Sequence, residues 1–172
     1  MESSGRQKFK SEFKILGIYQ LIGGILGLLI LLYSIYDTGI RAVPMLFLFL
    51  AISLFFVYSI ICGVLCLKSH DLALTLSYVN QIIQLIGIGL GGYLYNYAAG
   101  VYFSLKFDFT DISSLNFNFG ISKMELQFNR DISFNMLEIN FVAIFLIIWI
   151  DKLQRKIKNE QSKVTTEQIG TS

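Results

Sequence analysis

Three stretches of this 172-residue chain, residues 15–36, 43–67 and 72–97, contain no Asp, Glu, Lys, Arg or His. A hydrocarbon core about 30 Å thick needs about 20 apolar residues in a helix, and each stretch meets that length. A fourth, residues 137–150, carries Glu138 and Asn140 in its first turn. Extending it to residues 135–153 makes it long enough and sets the acid at the headgroup level. The expected fold is therefore an α-helical polytopic membrane protein with four transmembrane helices. A mean hydropathy of +0.60 with 54% hydrophobic residues argues against an ordinary soluble domain. The first run lacks the short core and small-residue cleavage site of a signal peptide, so it reads as an uncleaved helix. Pro44 suits the first turn of the second.

Residues 102–136 depart from this pattern. Apolar side chains alternate with polar ones at Phe103, Leu105, Phe107 and Phe109, then at Leu115, Phe117, Phe119 and Ile121. After a phase change they continue at Met124, Leu126 and Phe128, and then at Ile132, Phe134 and Met136. A period of two gives a strand with one apolar and one wet face. The expectation is a small antiparallel β-meander of about four strands, inserted between helices 3 and 4 and standing outside the membrane. Its hairpins pair Phe103 with Ile121, Phe119 with Leu126 and Leu126 with Phe134. Their turns fall at residues 110–114, at Ser122-Lys123 and at residues 129–131. The chain then divides into a cytoplasmic segment 1–14, helices 1–3 over 15–101, an extracytoplasmic meander 102–136, helix 4 with its cytoplasmic extension over 137–158, and a flexible tail 159–172.

The basic residues orient this arrangement. Arg6, Lys8, Lys10, Lys14, Lys68, Lys152, Arg155, Lys156, Lys158 and Lys163 fall on the side of the two termini. Arg41, Lys106, Lys123 and Arg130 fall on the other. The excess places both termini in the cytoplasm of a multi-pass cell-membrane protein. Tyr33, Tyr36, Tyr93, Tyr95 and Tyr97 would form the outer aromatic belt and Trp149 would mark the inner interface. The phenylalanine-, isoleucine- and asparagine-rich composition points to a bacterial inner membrane. A net charge of +2 gives no reason to expect nucleic acid as a partner.

Polar residues within the spans are the candidate site positions. Gln20 shares a helical face with Gly24 and Gly27, and Asn80 and Gln84 share one with Gly87 and Gly91. The pairs Gly23/Gly27 and Gly87/Gly91 have the small-xxx-small spacing that lets membrane helices approach closely. Gln20-Leu21-Ile22-Gly23 recurs as Gln84-Leu85-Ile86-Gly87, a pattern compatible with a parallel repeat. Gln20, Asn80, Gln84, Asn96, Glu138 and Asn140 either hold the bundle together or line a cavity. Cys62, Cys66 and His70 fall on one helical face beside Asp71, but no fourth ligand is evident and thiols in an apolar helix are ordinarily core residues. No metal, cofactor or catalytic residue is assigned, and the chain does not read as an enzyme.

Two functions fit. The first is an interaction or assembly protein, embedded in the lipid bilayer, that presents its outer sheet to a protein partner or to a second copy. The second is a small transporter or a lipid- or small-molecule-binding protein, with the sheet as lid over a cavity framed by Gln84, Asn96 and Glu138. The absence of charge from the spans favours the first. Helix ends, lipid headgroups and another protein are the three possible covers for the sheet's apolar face.

Overall fold

The computed structural model describes residues 8–39, 43–109, 114–128 and 133–170. The elements are helices α1 (Lys10–Thr38), α2 (Val43–Leu67) and α3 (Ala73–Ile83), strands β1 (Ile86–Leu90), β2 (Tyr93–Asp108), β3 (Ser114–Gln127) and β4 (Met136–Asn140), and helix α4 (Phe141–Gly170). Four transmembrane helices do not fit this structure. Among the described residues only α1 and α2 are long and apolar enough to cross a membrane, and a four-stranded antiparallel sheet accounts for much of the rest.

The third expected span fails at its glycines. Gly87, Gly89, Gly91 and Gly92 fall within six residues, and each would cost about 1 kcal/mol in a helix interior. Helix α3 accordingly ends at Ile83 after 11 residues. The run Ile86-Gly87-Ile88-Gly89-Leu90 then alternates as a strand, and Gly91 and Gly92, at φ +59° and +86°, turn it back into β2. Two positive-φ residues between paired strands are what a primed hairpin turn requires. Gly87 and Gly91 therefore mediate no helix contact. The repeat is overturned as well, since its second copy straddles the end of α3 and the start of β1.

The fourth span gives way to β4 followed by a helix that begins at Phe141, where Asn140 Oδ1 accepts the amide of Val142 at 3.1 Å in an N-cap. The ten apolar residues 141–150 before Asp151 are too few to cross a bilayer. Helix α4 continues to Gly170.

Strands occupy 102–108 and 114–127 of this stretch, but they form no meander. Phe103 faces Phe119 and Phe107 faces Leu115, two residues away from the expected register, so these pairs keep a common face. Phe134 and Met136, by contrast, are buried and do not share the exposed face of Phe117 and Phe119. No turn forms at Ser122-Lys123. Strand β3 runs through, with Ser122 at φ +50° opposite a register shift between Ala98 and Val101. The phase change in the apolar pattern is thus a bulge that re-aims the strand. The turn expected at 129–131 lies outside the described residues. Beyond it, β4 pairs with β1 and with the far half of β2, not with β3.

The strand order is β1-β4-β2-β3, with β1 also paired to the near half of β2. Strands β1, β4 and β2 thereby close on themselves as a small ring, and β3 flanks β2 along its whole length. Inward positions must be small. A Cβ on Gly87 would stand 2.9 Å from the Asn96 side chain, and one on Gly89 would stand 2.7 Å from the Phe134 ring. Leu94, Phe134 and Met136 pack together as one buried cluster.

Helices α1 and α2 form a hairpin. Gly17 packs on the Gly63 carbonyl, Gly24 on Ile60 and Gly27 on the Phe56 ring. Gly23 faces the sheet instead, where a Cβ would stand 2.3 Å from the Gly100 nitrogen. At the other end of α1, Phe13 and Leu16 pack with Leu74, Leu146, Ile150 and Leu153 from α3 and α4. Tyr95 and Tyr97 form no belt. Tyr97 is buried between the hairpin and the sheet, its ring 5.3 Å from Phe55 and 5.4 Å from Phe56, and its hydroxyl donates to the Phe55 carbonyl.

Candidate functional site

The polar positions singled out in the sequence are all buried, and they fall into two groups. In the first, Glu138 sits on the inner face of the ring at 3% exposure, not at a headgroup-level helix start. Its carboxylate accepts from the Asn96 amide at 2.7 Å, from the Lys123 ammonium at 2.9 Å and from the Ser104 hydroxyl. Lys123 also lies over the Tyr102 ring, 5.0 Å from its centroid. The bonds from Ser104, Lys123 and Asn96 offset the cost of burying this carboxylate. Gln84 and Asn140 complete the lining of this space, which measures about 10 Å³. That volume is about one water molecule's worth.

The second group lies where α1, α2 and α3 meet. Asn80 donates to Gln20 Oε1 and to Ser59 Oγ, each at 3.2 Å, and Ser59 donates to the Gln20 carbonyl. Gln84 joins the two groups, its Oε1 accepting the Ala99 amide at 2.8 Å. Several amide atoms here make no hydrogen bond within the described structure: Gln20 Nε2, Asn80 Oδ1, Gln84 Nε2 and both side-chain polar atoms of the fully buried Gln81.

The structure thus brings Gln84, Asn96, Glu138 and Asn140 around one space and Gln20 with Asn80 in another. Sequence reasoning missed Ser104, Lys123, Ser122, Ser59 and Gln81. Ser104 falls on the polar face expected to be wet, and Ser122 and Lys123 fall at an expected hairpin turn. Ser104 and Ser122 instead point inward at 1% and 6% exposure. Ser122 Oγ accepts the Gly100 amide and donates to the Gly23 carbonyl, so it ties sheet to helix. Ser59 and Gln81 were legible as isolated polar residues in apolar runs.

Cys62 and Cys66 are fully buried free thiols, with Cys66 Sγ 3.2 Å from Ser77 Oγ. His70 Nδ1 accepts the Leu72 amide within a turn. Among the described residues no group of three His, Cys, Asp or Glu could hold a metal ion. The Glu138 carboxylate has a donor on each side, so chemically the cluster is a neutralised ion pair locked into the ring. Comparison with family models, curated proteins and solved structures gives no match.

Proposed function

We propose that this chain is an integral membrane protein that serves as an interaction or assembly module, with the bilayer covering both its helical hairpin and the outer face of its β ring. The observation that carries the reading is an inverted distribution of polarity. Gln20, Ser59, Asn80, Gln81, Ser104 and Glu138 are inside, while Ile86, Ile88, Phe103, Phe117, Phe119 and Phe145 are exposed. In water such a surface would be far larger than the apolar patch of a typical monomer, about 300–600 Å². The rest of the chain buries only 39% of the most apolar window of α1 and 22% of that of α2.

The sheet contacts α1 from Tyr19, which donates to the Val101 carbonyl, to Ser34, which faces the end of β3. At 1.5 Å per residue that interval is about 22 Å, so the ring lies beside the apolar part of the helix. The basic ends agree with one orientation. Lys8 meets Glu160 of α4 at 2.8 Å, so Lys10, Lys14, Lys156 and Lys158 gather at one end, which the positive-inside rule makes cytoplasmic. The lid-over-cavity alternative loses support because the space framed by Gln84, Asn96 and Glu138 measures about 10 Å³, too small for a solute. What favours a conducting role is the set of unpaired amides around Gln81. Loss of solute flux in Gln81→Leu with the fold intact would establish it.

The membrane reading is tested with Ile88→Cys and Phe103→Cys in open membrane fragments, where a water-soluble maleimide reaches both surfaces. Both thiols are expected to react only after detergent dissolves the bilayer. Immediate labelling would place the ring in water and overturn the reading.

A further inference from the structure

The edge of β3 sets the problem. Among the described residues β3 pairs only with β2, so from Ser114 to Ile121 one side of the strand offers its amides and carbonyls to whatever lies next to it. Exposed edges in soluble proteins are ordinarily guarded by charge, proline or a bulge. From Ser114 to Ile121 there is no charge and no proline, and the bulge comes only at Ser122. In lipid the edge is still less tolerable, because each unsatisfied backbone group costs several kcal/mol.

The geometry points to a second copy of this chain as the missing neighbour, its β3 aligned antiparallel to this one across a two-fold axis at Asn118. The segment Leu115-Asn116-Phe117-Asn118-Phe119-Gly120-Ile121 is close to palindromic in character about that residue. An antiparallel pair centred there sets Asn118 against Asn118, Phe117 against Phe119, Asn116 against Gly120 and Leu115 against Ile121. Apolar residues then meet apolar ones on the outer face and amides meet small or amide groups on the inner one. No like charges face each other, so nothing in the segment opposes self-pairing. A two-fold interface of this kind is isologous and closes at two copies. Phe117 and Phe119, at 66% and 75% exposure, would extend the apolar surface across both subunits.

This inference rests on the membrane-assembly reading, and one preparation separates their failures. Facing residues in an antiparallel pair lie about 4.5–5.5 Å apart between Cα atoms, within disulfide range. With an added oxidant, Asn118→Cys should cross-link to itself in native membranes, the native thiols being fully buried. Leu115→Cys and Ile121→Cys should cross-link only when co-expressed, since residue 115 would lie roughly 20 Å from its own copy. Adding Asn118→Lys to that mixed pair should cut the linked fraction severalfold. Cross-linking of Leu115→Cys alone would mean parallel pairing and overturns the proposal, as does linkage of Asn118→Cys to a different protein. So does a monomer at every position while the chain stays in the membrane, an outcome that leaves the membrane reading intact. Release of the chain by an alkaline wash sinks the membrane reading whichever way the cross-links fall.

Discussion

The two polar groups in the interior solve the same problem in opposite ways. In the β ring a charged carboxylate is buried with an ammonium, an amide and a hydroxyl around it. In the helical region no group is charged, yet Gln81 is left without a partner and three neighbouring amides are only half used. Strand geometry explains the contrast. Alternation brings Asn96, Ser104 and Glu138 onto one inward face, and the bulge at Ser122 lets Lys123 reach it. Asn80 and Gln84 instead share a face of the short helix, Asn80 reaching Gln20 and Ser59 and Gln84 the Ala99 amide, while Gln81, about 100° further round, meets none of these groups. The ring cluster is therefore a lock, and the helical cluster a stability reserve left unspent.

The sharpest way to break this contrast is to remove one half of the lock. Glu138→Ala leaves Lys123 buried with its side chain at 15% exposure and no counter-charge, and should cost about 3–5 kcal/mol. Thermal unfolding in detergent measures it, and a loss under 1 kcal/mol would mean the pair carries little. The double change Glu138→Leu with Lys123→Met should recover most of the loss, because no charge is then stranded.

Next in size is Ser122→Ala, which strands the Gly100 amide against α1 and should cost about 1–3 kcal/mol. Ser122→Thr keeps the hydroxyl but places a β-branched residue at φ +50°, so it should not rescue.

How much of this was legible depended on whether the deciding pattern was local. Alternation at Phe103, Leu105, Phe117 and Phe119 marked strands, and it kept the right faces even though the register lay two residues away. What it did not mark was which face meets water. Phe103, Phe117 and Phe119 turn out and Ser104 turns in, the arrangement that the proposed bilayer setting would favour. The sequence Ile86-Gly87-Ile88-Gly89-Leu90 carried a strand signal that its hydropathy masked, because a length count treats glycine and isoleucine alike. The placement of β4 between β1 and β2 had no local signature at all, since it joins Gly87 to Glu138, 51 residues further on. Among the site residues, Gln84, Asn96, Glu138 and Asn140 stood out as polar groups in apolar runs. Their convergence depended on that same long-range pairing.

The smallest expected effect has the opposite sign and bears most directly on the helical cluster. Gln81 is fully buried, and neither Oε1 nor Nε2 is bonded. Its burial therefore costs desolvation with no compensating bond. Gln81→Leu removes that cost within a similar volume and should stabilise the fold by about 1 kcal/mol. Gln84→Leu, one turn on, should do the reverse, because the Ala99 amide would lose its acceptor. If both changes destabilise, the Gln81 amide has a partner in the membrane-embedded protein, and the two polar clusters are alike after all. If Gln81→Leu stabilises while assembly is unchanged, the helical amides serve packing alone. If it stabilises at the expense of solute passage, then that unpaired glutamine is retained for function, and the ring beside it only fixes the geometry in which it acts.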